Sequence, residues 1–433
     1  MTKTEANPPA GIVNEKFPYK ICINLDRRPE RWRDMQRKFD QHGIQSVRRF
    51  PAVDGDNIKL PANWTHTPGA RGCLLSHLEV VREALRIGLP NILIFEDDVV
   101  FDEQLNQKFR IYIDELPPDW DMLFFGALHR EEPIMVGENI ARIKQAYSTY
   151  AYALRDTTFA DFIELNRETQ RELDQNSLIL QRRFNCYCFM PNLAWVETDY
   201  SDAQQRLMDH WYLRESLVLF SPQVDRLLSE TTIVFAHGNH GGGGGGTNNL
   251  MYLVHYYHKF FSPYLAMVIV EQGAQPSIDP ATLPVACKYV FLRDGNPFDR
   301  ERCFVKGIDH SDPSRKRFIL SDSDIYLETL HIRANLRMCE RYDYVTGFSK
   351  IIDLNKNDSA RLRNSKTPQG IDFMKNNSPD NGRQGYCLFL NREAIEIAGR
   401  GEESSVTIGS LLSLRRPGPH RSFESPNHAL RLQ

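Results

Sequence analysis

Two apolar runs in this chain stop abruptly in acid. Residues 92–95 (ILIF) lead into Glu96, Asp97 and Asp98, and residues 318–320 (FIL) lead, through Ser321, into Asp322, Ser323 and Asp324. An apolar run of that length fits a strand buried on both faces of a sheet, and open α/β sheets bind ligands beyond the carboxyl ends of such strands. In extended backbone, residues i and i+2 point the same way, so Glu96 and Asp98 are expected to converge on one cation while Asp97 faces the other side. Asp322 and Asp324 stand in the same relation. Hard carboxylate oxygens suit Mn2+ or Mg2+ and leave positions open for a diphosphate. The plainer alternatives are a favourable helix N-terminus for the first triplet and a side-chain-capped turn for the second.

Both runs lie within an alternation of strand and helix patterns. Residues 19–26 (YKICINLD) read as a buried strand, and residues 29–43 as a helix with Pro29 at its start and Gly43 at its end. VRRFPAV reads as a short strand. In ARGCLLSHLEVVREALRIG, Leu74, Leu78, Val81 and Leu85 recur at helical spacing until Gly88 stops the run. After the first acid-ended strand come a helical KFRIYIDEL and a strand DMLFFGAL. The same grammar restarts at TTIVFAH (231–237), followed by a glycine loop, the helix NNLMYLVHYYHKFF, and the strands AMVIVEQ and KYVFLRDG before the second acid-ended strand. This predicts an α/β fold of two tandem units with mainly parallel sheets. The expected layout is a tail over 1–15, domains over 16–222 and 223–412, and a C-terminal tail over 413–433.

Composition narrows the function. Fifty-three Lys and Arg against 56 Asp and Glu leave a net charge of −3, so no overall basic field exists to hold nucleic acid. The most apolar stretch, residues 260–270, is too short to span a bilayer and contains Ser262 and Pro263, so no transmembrane segment is expected. The N-terminus has no apolar signal core, and the 8 cysteines include no CxxC pair; both point to a reduced, cytoplasmic protein. The HGNHGGGGGGT loop lacks the lysine of a nucleotide-hydrolysing phosphate loop. Arg315, Lys316 and Arg317, with Arg415, Arg416, Arg421 and Arg431, form a basic set that either meets an anionic glycolipid at the inner membrane face or is merely solvated charge.

The ordered set INLDRRPERW, FPAVDG, PGARGCLLSH, ILIFEDDVVF, DMLFFG and TYAYAL, spanning roughly residues 16–202, resembles glycosyltransferase family 25, the lipooligosaccharide and collagen galactosyltransferases. The resemblance implies a GT-A fold, a nucleotide-sugar donor such as UDP-galactose, a divalent metal (Mn2+ or Mg2+), and inversion at the anomeric carbon. On its motifs, Asn24, Leu25 and Arg27 would line the nucleotide, and Arg71, Gly72, Ser76 and His77 would border the donor. Glu96 and Asp98 would hold metal, with Asp97 on the ribose. Asp174, in ELDQN where relatives show a Pro-x-Asp element, is the nominated catalytic base; Glu197 and Asp199 compete for that role.

The second half, about residues 229–409, resembles a second GT-A glycosyltransferase of the broad family-2-like group through VEQG, FILSDSDIYL and GYCLFLNREAIEIAGRGEES. That resemblance gives Asp322 and Asp324 the metal–diphosphate, Glu271 the nucleotide, and Glu402 or Glu403 the acceptor or base role. The expectation is a bifunctional, metal-dependent glycosyltransferase that passes galactose and a second sugar from nucleotide sugars to a growing glycan or glycolipid. A protein-glycosylating enzyme, or one active domain beside a non-catalytic glycan-binding domain, are the rivals.

Overall fold

In this computed structural model, residues 11–238, 245–364, 387–392, 422–426 and 428–431 are described. The chain divides into two compact units, Met1–Phe220 and Ser221–Gln433. Punctuation in the sequence sets the elements of the first. Helix Pro29–Gln41 starts on a proline, and Gly43 beyond it takes φ +63°, a left-handed conformation that glycine adopts without a side-chain clash. Helix Pro68–Arg86 is capped by Thr67, whose hydroxyl accepts the Ala70 amide at 3.0 Å, and the turn after it uses Gly88 at φ +70°.

The first unit is built on an eight-stranded sheet in the order Val47–Pro51, Lys20–Asn24, Asn91–Glu96, Ala151–Arg155, Met122–Phe124, Cys186–Phe189, Ile140–Arg142, Ile134–Met135. Lys20–Asn24 runs parallel to both neighbours, whereas Ala151–Arg155 lies antiparallel between Asn91–Glu96 and Met122–Phe124. The second unit carries a seven-stranded sheet in the order Cys287–Arg293, Ala266–Gly273, Thr231–Gly238, Arg317–Asp322, Cys387–Asn391, Tyr344–Thr346, Ser422–Glu424. Its first four strands are mutually parallel and Cys387–Asn391 is antiparallel. The two sheets thus repeat one arrangement: the acid-ended strand sits between the first strand of its unit, parallel, and a later antiparallel strand. The fold class is α/β, with an antiparallel strand beside each acid-ended one.

Strand alternation decides where each acid points. Ile92 and Ile94 pack with Leu74 and Val81 of helix Pro68–Arg86, while Phe95 meets Phe39, Phe101 and Phe125 on the opposite face. Glu96 shares parity with Ile92 and Ile94 and so faces helix Pro68–Arg86. Phe318 and Leu320 pack with Cys303 and Phe304 of helix Arg300–Asp309, so Asp322 faces that helix. Both strands then end. Residues 97–98 and 323–324 are turns leading into Val99–Phe101 and Ile325–Tyr326. The expected extension of the strand through Asp98 and Asp324 is therefore corrected: the i, i+2 relation fails because the second acid of each pair lies in a turn.

Both Cys186 and Cys188 are buried, since the sheet is covered on both faces. His129, 1% exposed, approaches the Cys188 sulfur at 3.6 Å, and burial pushes its pKa from 6.5 down to about 4. Unfolded chain would protonate this imidazole below about pH 6.5 while folded chain resists until about 4. Its contribution, on the order of 3 kcal/mol, is therefore present above pH 6.5 and lost as pH falls toward 4. NMR titration of the His129 ring should give a midpoint near 4; a midpoint near 6.5 would show that the ring is hydrated.

Candidate active site

In the first unit, the acid-ended strand opens into a cleft of about 590 Å³, mouth included. It is lined from four sides: by the strand end Ile23–Leu25 and its helix, by the 52–55 loop, by helix Pro68–Arg86, and by residues 201–203. Its electrostatic centre is Arg31. This guanidinium lies 2.6 Å from Asp199, 3.2 Å from Asp97, 3.7 Å from Asp202 and 3.8 Å from Asp98. Burial alone would lower its pKa, but Asp98, Asp97, Asp199 and Asp202 together raise it. Arg31 belongs to the buried face of its helix with Met35 and Phe39, so an arginine on an i, i+4, i+8 apolar stripe is the signal by which the sequence discloses it.

The acids outnumber the cations beside them, even though Asp202 is also met by Arg27 at 2.6 Å and by Arg28 at 3.4 Å. Burial raises Asp97, against the pull of Arg31 and Asn24. Asp98 is pushed up to about 7 by burial and then by Glu96 and Asp97, and its Oδ1 is a buried acceptor with no hydrogen bond. Asp174 is raised to about 6, again by burial first and Glu96 second. A single hydroxyl joins two of these acids: Thr149 Oγ1 lies 3.1 Å from Asp174 and 3.3 Å from Glu96.

The sequence-nominated residues take varied places. The buried Asn24 amide donates to Asp97 at 2.6 Å and its oxygen accepts from Arg49 at 2.7 Å, so it fixes the acid turn. Leu25 lines the cleft, and Arg27 bridges Asp54 and Asp202 at its mouth. Ser76 donates to the Gly72 carbonyl and accepts the Val53 amide, pinning the 52–55 loop to the helix. Arg71 turns from the cleft to the Thr169 carbonyl and the face of Trp64. Gly72 is absent from the lining and acts by close packing: a Cβ there would stand 2.4 Å from the Val53 oxygen and 2.7 Å from the Gly55 nitrogen. His77 is fully buried, with Nδ1 2.9 Å from the Tyr152 hydroxyl and Nε2 3.5 Å from Glu96. Cys73, which carried no role in the motifs, joins His77 and Glu96 at the cleft wall.

In the second unit Glu271 is buried, accepting the Ser277 amide at 2.7 Å and the Tyr289 hydroxyl at 2.6 Å. Asp322 pairs with Arg300 at 2.7 Å. Asp324 is raised by burial, with Arg431 and Arg300 opposing. Glu402 and Glu403 lie outside the described residues, as do Arg415, Arg416 and Arg421. The expected basic set does not form one cationic face among the described residues. Arg431 is buried against Asp353 at 3.1 Å, Arg317 holds Glu230, and Arg315 donates to the Tyr264 carbonyl at 2.8 Å. No helix among the described residues is long and apolar enough to cross a membrane.

Residues 17–133 match the family described as glycosyltransferase family 25 (LPS biosynthesis protein). A glycosyltransferase 25 family member from Drosophila melanogaster is 30% identical over 157 residues, which cover 31% of this chain and 26% of that protein. Procollagen galactosyltransferase 2 of Mus musculus is 30% identical over 173 residues, covering 33% and 28%. A Bos taurus protein named probable inactive glycosyltransferase 25 family member 3 is 28% identical over 173 residues, covering 34% and 29%. The chain thus spans little more than a quarter of the length of these relatives.

Two stability measurements follow from this geometry. Gly72→Ala should cost about 1–3 kcal/mol in denaturant unfolding, because its Cβ meets backbone that cannot rotate away; an unchanged midpoint would contradict the close packing. Arg31→Gln should cost about 3–5 kcal/mol by leaving buried carboxylates uncompensated, and adding Asp97→Asn should restore part of it. Additive losses would show that the two side chains are not coupled.

Proposed function

We propose that the first unit is a GT-A glycosyltransferase of family 25 type that transfers a sugar, galactose by analogy with the named relatives, from a UDP-sugar to a hydroxyl of a glycan or glycolipid. One observation carries this: every residue lining the cleft, apart from Ser201, Asp202 and Ala203, falls within the segment that matches the family. The matched segment therefore builds most of the cleft wall, while the buried Asp174 and its partner Thr149 lie beyond that segment and behind the lining, next to Glu96. The second unit repeats the sheet arrangement and the acid-ended strand, which supports reading it as a second nucleotide-sugar transferase and the chain as bifunctional.

The residues present fit a divalent cation. Asp98 offers a buried oxygen with no hydrogen bond and is raised by the Glu96 charge across the turn, and the acids around the cleft outnumber Arg27, Arg28 and Arg31. Glu96 and Asp98 would hold Mn2+ or Mg2+, which when bound offsets the negative charge developing on the leaving diphosphate. The remaining work falls to the chain. Asn24 and Arg31 hold Asp97 at the turn, so that the acid face presented to the donor is fixed before it binds. Arg27 clamps residue 202 to the 54 loop, closing the cleft mouth over the nucleotide. Asp174, raised to about 6, is suited to take the proton from the attacking hydroxyl near neutral pH, and Thr149 orients it. The proposed setting is cytoplasmic, with peripheral contact at the inner face of a membrane where a glycolipid acceptor would be met.

A second reading, in which the second unit is a non-catalytic glycan-binding module, is supported by Arg300 holding Asp322 at 2.7 Å, which leaves that carboxylate already paired. Incubation of the chain with UDP-galactose and manganese, offering lipid-linked and peptide acceptors in parallel, should yield a galactosylated product. Asp174→Asn should lower turnover about 10²- to 10⁴-fold while holding or raising the melting temperature, because a buried carboxylate raised to about 6 costs stability at neutral pH. No transfer to any acceptor and no UDP release would defeat the proposal. Asp322→Ala should remove a second sugar transfer and leave the galactosyl activity; unchanged products in a screen of nucleotide sugars would favour the binding-module reading.

A further inference from the structure

The strand parity that turns Glu96 toward helix Pro68–Arg86 brings it against two side chains one helical turn apart. Cys73 and His77 stand at i and i+4, and their donor atoms and a Glu96 oxygen all lie within 4.8 Å of one another. We propose that Cys73, His77 and Glu96 form a binding site for a borderline divalent metal of the zinc type, with a ligand set different from the all-carboxylate pair of Glu96 and Asp98. The proposal does not rest on sugar transfer, because metal uptake is read directly.

Three observations carry it. First, His77 is fully buried, yet its Nε2 makes no hydrogen bond and lies 3.5 Å from Glu96 Oε1. A buried ring nitrogen left without a partner is costly, and a metal between the two atoms would satisfy it. Second, the groups that orient metal ligands are in place. The other ring nitrogen of His77 meets the buried Tyr152 hydroxyl at 2.9 Å, so that an Nδ1–H donating there leaves the Nε2 lone pair toward Glu96. Thr149 reaches the Glu96 carboxylate at 3.3 Å. Third, all three residues line the cleft, which gives a metal an entry path and leaves a fourth position for water or a ligand oxygen.

Donor chemistry selects the ion. One sulfur, one imidazole nitrogen and one carboxylate oxygen suit zinc or cobalt, whereas manganese and magnesium favour oxygen. Donors around tetrahedral zinc stand about 3.3–3.8 Å apart, and the His77–Glu96 separation of 3.5 Å already matches. Cys73 would bind as the thiolate, its proton passing to solvent as the metal–sulfur bond forms. Glu96 is common to both sets, so a zinc-type ion here leaves Asp98 to Arg31.

The full chain, stripped with chelator, is titrated with Co2+ and then Zn2+. The expected result is about one equivalent of cobalt with a sulfur-to-cobalt charge-transfer band in the near ultraviolet, bleached by zinc. Cys73→Ser should abolish the band, and His77→Gln, which removes a ligand itself, should weaken cobalt binding by more than the about 10- to 100-fold that loss of an orienting partner costs. Should either variant fail to fold, zinc protection of Cys73 against alkylation in the unaltered chain, located by mass spectrometry, reads the same contact. Absence of any band and of protection, as a plain His77–Glu96 ion pair would give, overturns the proposal, as does a band that survives Cys73→Ser.

Discussion

A strand buried on both faces can end in only one of two directions, and that constraint organises this molecule. Along residues 92–96 the alternation is forced by packing: Ile92 and Ile94 belong to the helix side and Phe95 to the aromatic side. Glu96 inherits the helix side by parity, and the turn that follows sends Asp97 toward Asn24 and Arg31. A slip of one residue would exchange those faces. The hydrophobic core therefore aims Glu96, Asp97 and Asp98, and the contacts those acids make with His77, Asn24 and Arg31 depend on it.

The second unit obeys the same rule with different residues. Phe318 and Leu320 fix the helix side, and Asp322 emerges there to meet Arg300, as Glu96 emerges to meet His77. In both units the acid-ended strand lies between a parallel and an antiparallel neighbour. What differs is how the charge is met: by imidazole, thiol and hydroxyl around Glu96, by a guanidinium on Asp322. Arg31 plays a comparable guanidinium role for Asp97 and Asp98, which places an internal cation beside each acidic turn.

Much of this was legible in the chain itself. Pro29, Gly43 and Gly88 mark helix ends because the backbone conformations they permit are local properties. The acid-ended strands stand out because apolar runs and charge are visible without tertiary context. The turns at 97–98 and 323–324 were not legible, since nothing local distinguishes an acid that continues a strand from one that leaves it. Nor was the antiparallel Ala151–Arg155: strand direction depends on pairing partners distant in sequence. The packing role of Gly72 and the turning of Arg71 toward Trp64 arise where separate segments meet. Arg31 and Cys73 carried a signal, polar groups at helical spacing beside buried positions, whose meaning required Asp199, Asp202 and Glu96 to be brought to them.

The proposed activity rests on a nucleotide diphosphate meeting the carboxylates at the end of strand Asn91–Glu96. Crystals of the chain grown with UDP and manganese test this most directly. The diphosphate should lie in the cleft between the 52–55 loop and helix Pro68–Arg86, with ion density against Glu96. Nucleotide bound elsewhere, with Glu96 and Asp98 contacting neither ion nor phosphate, would contradict it.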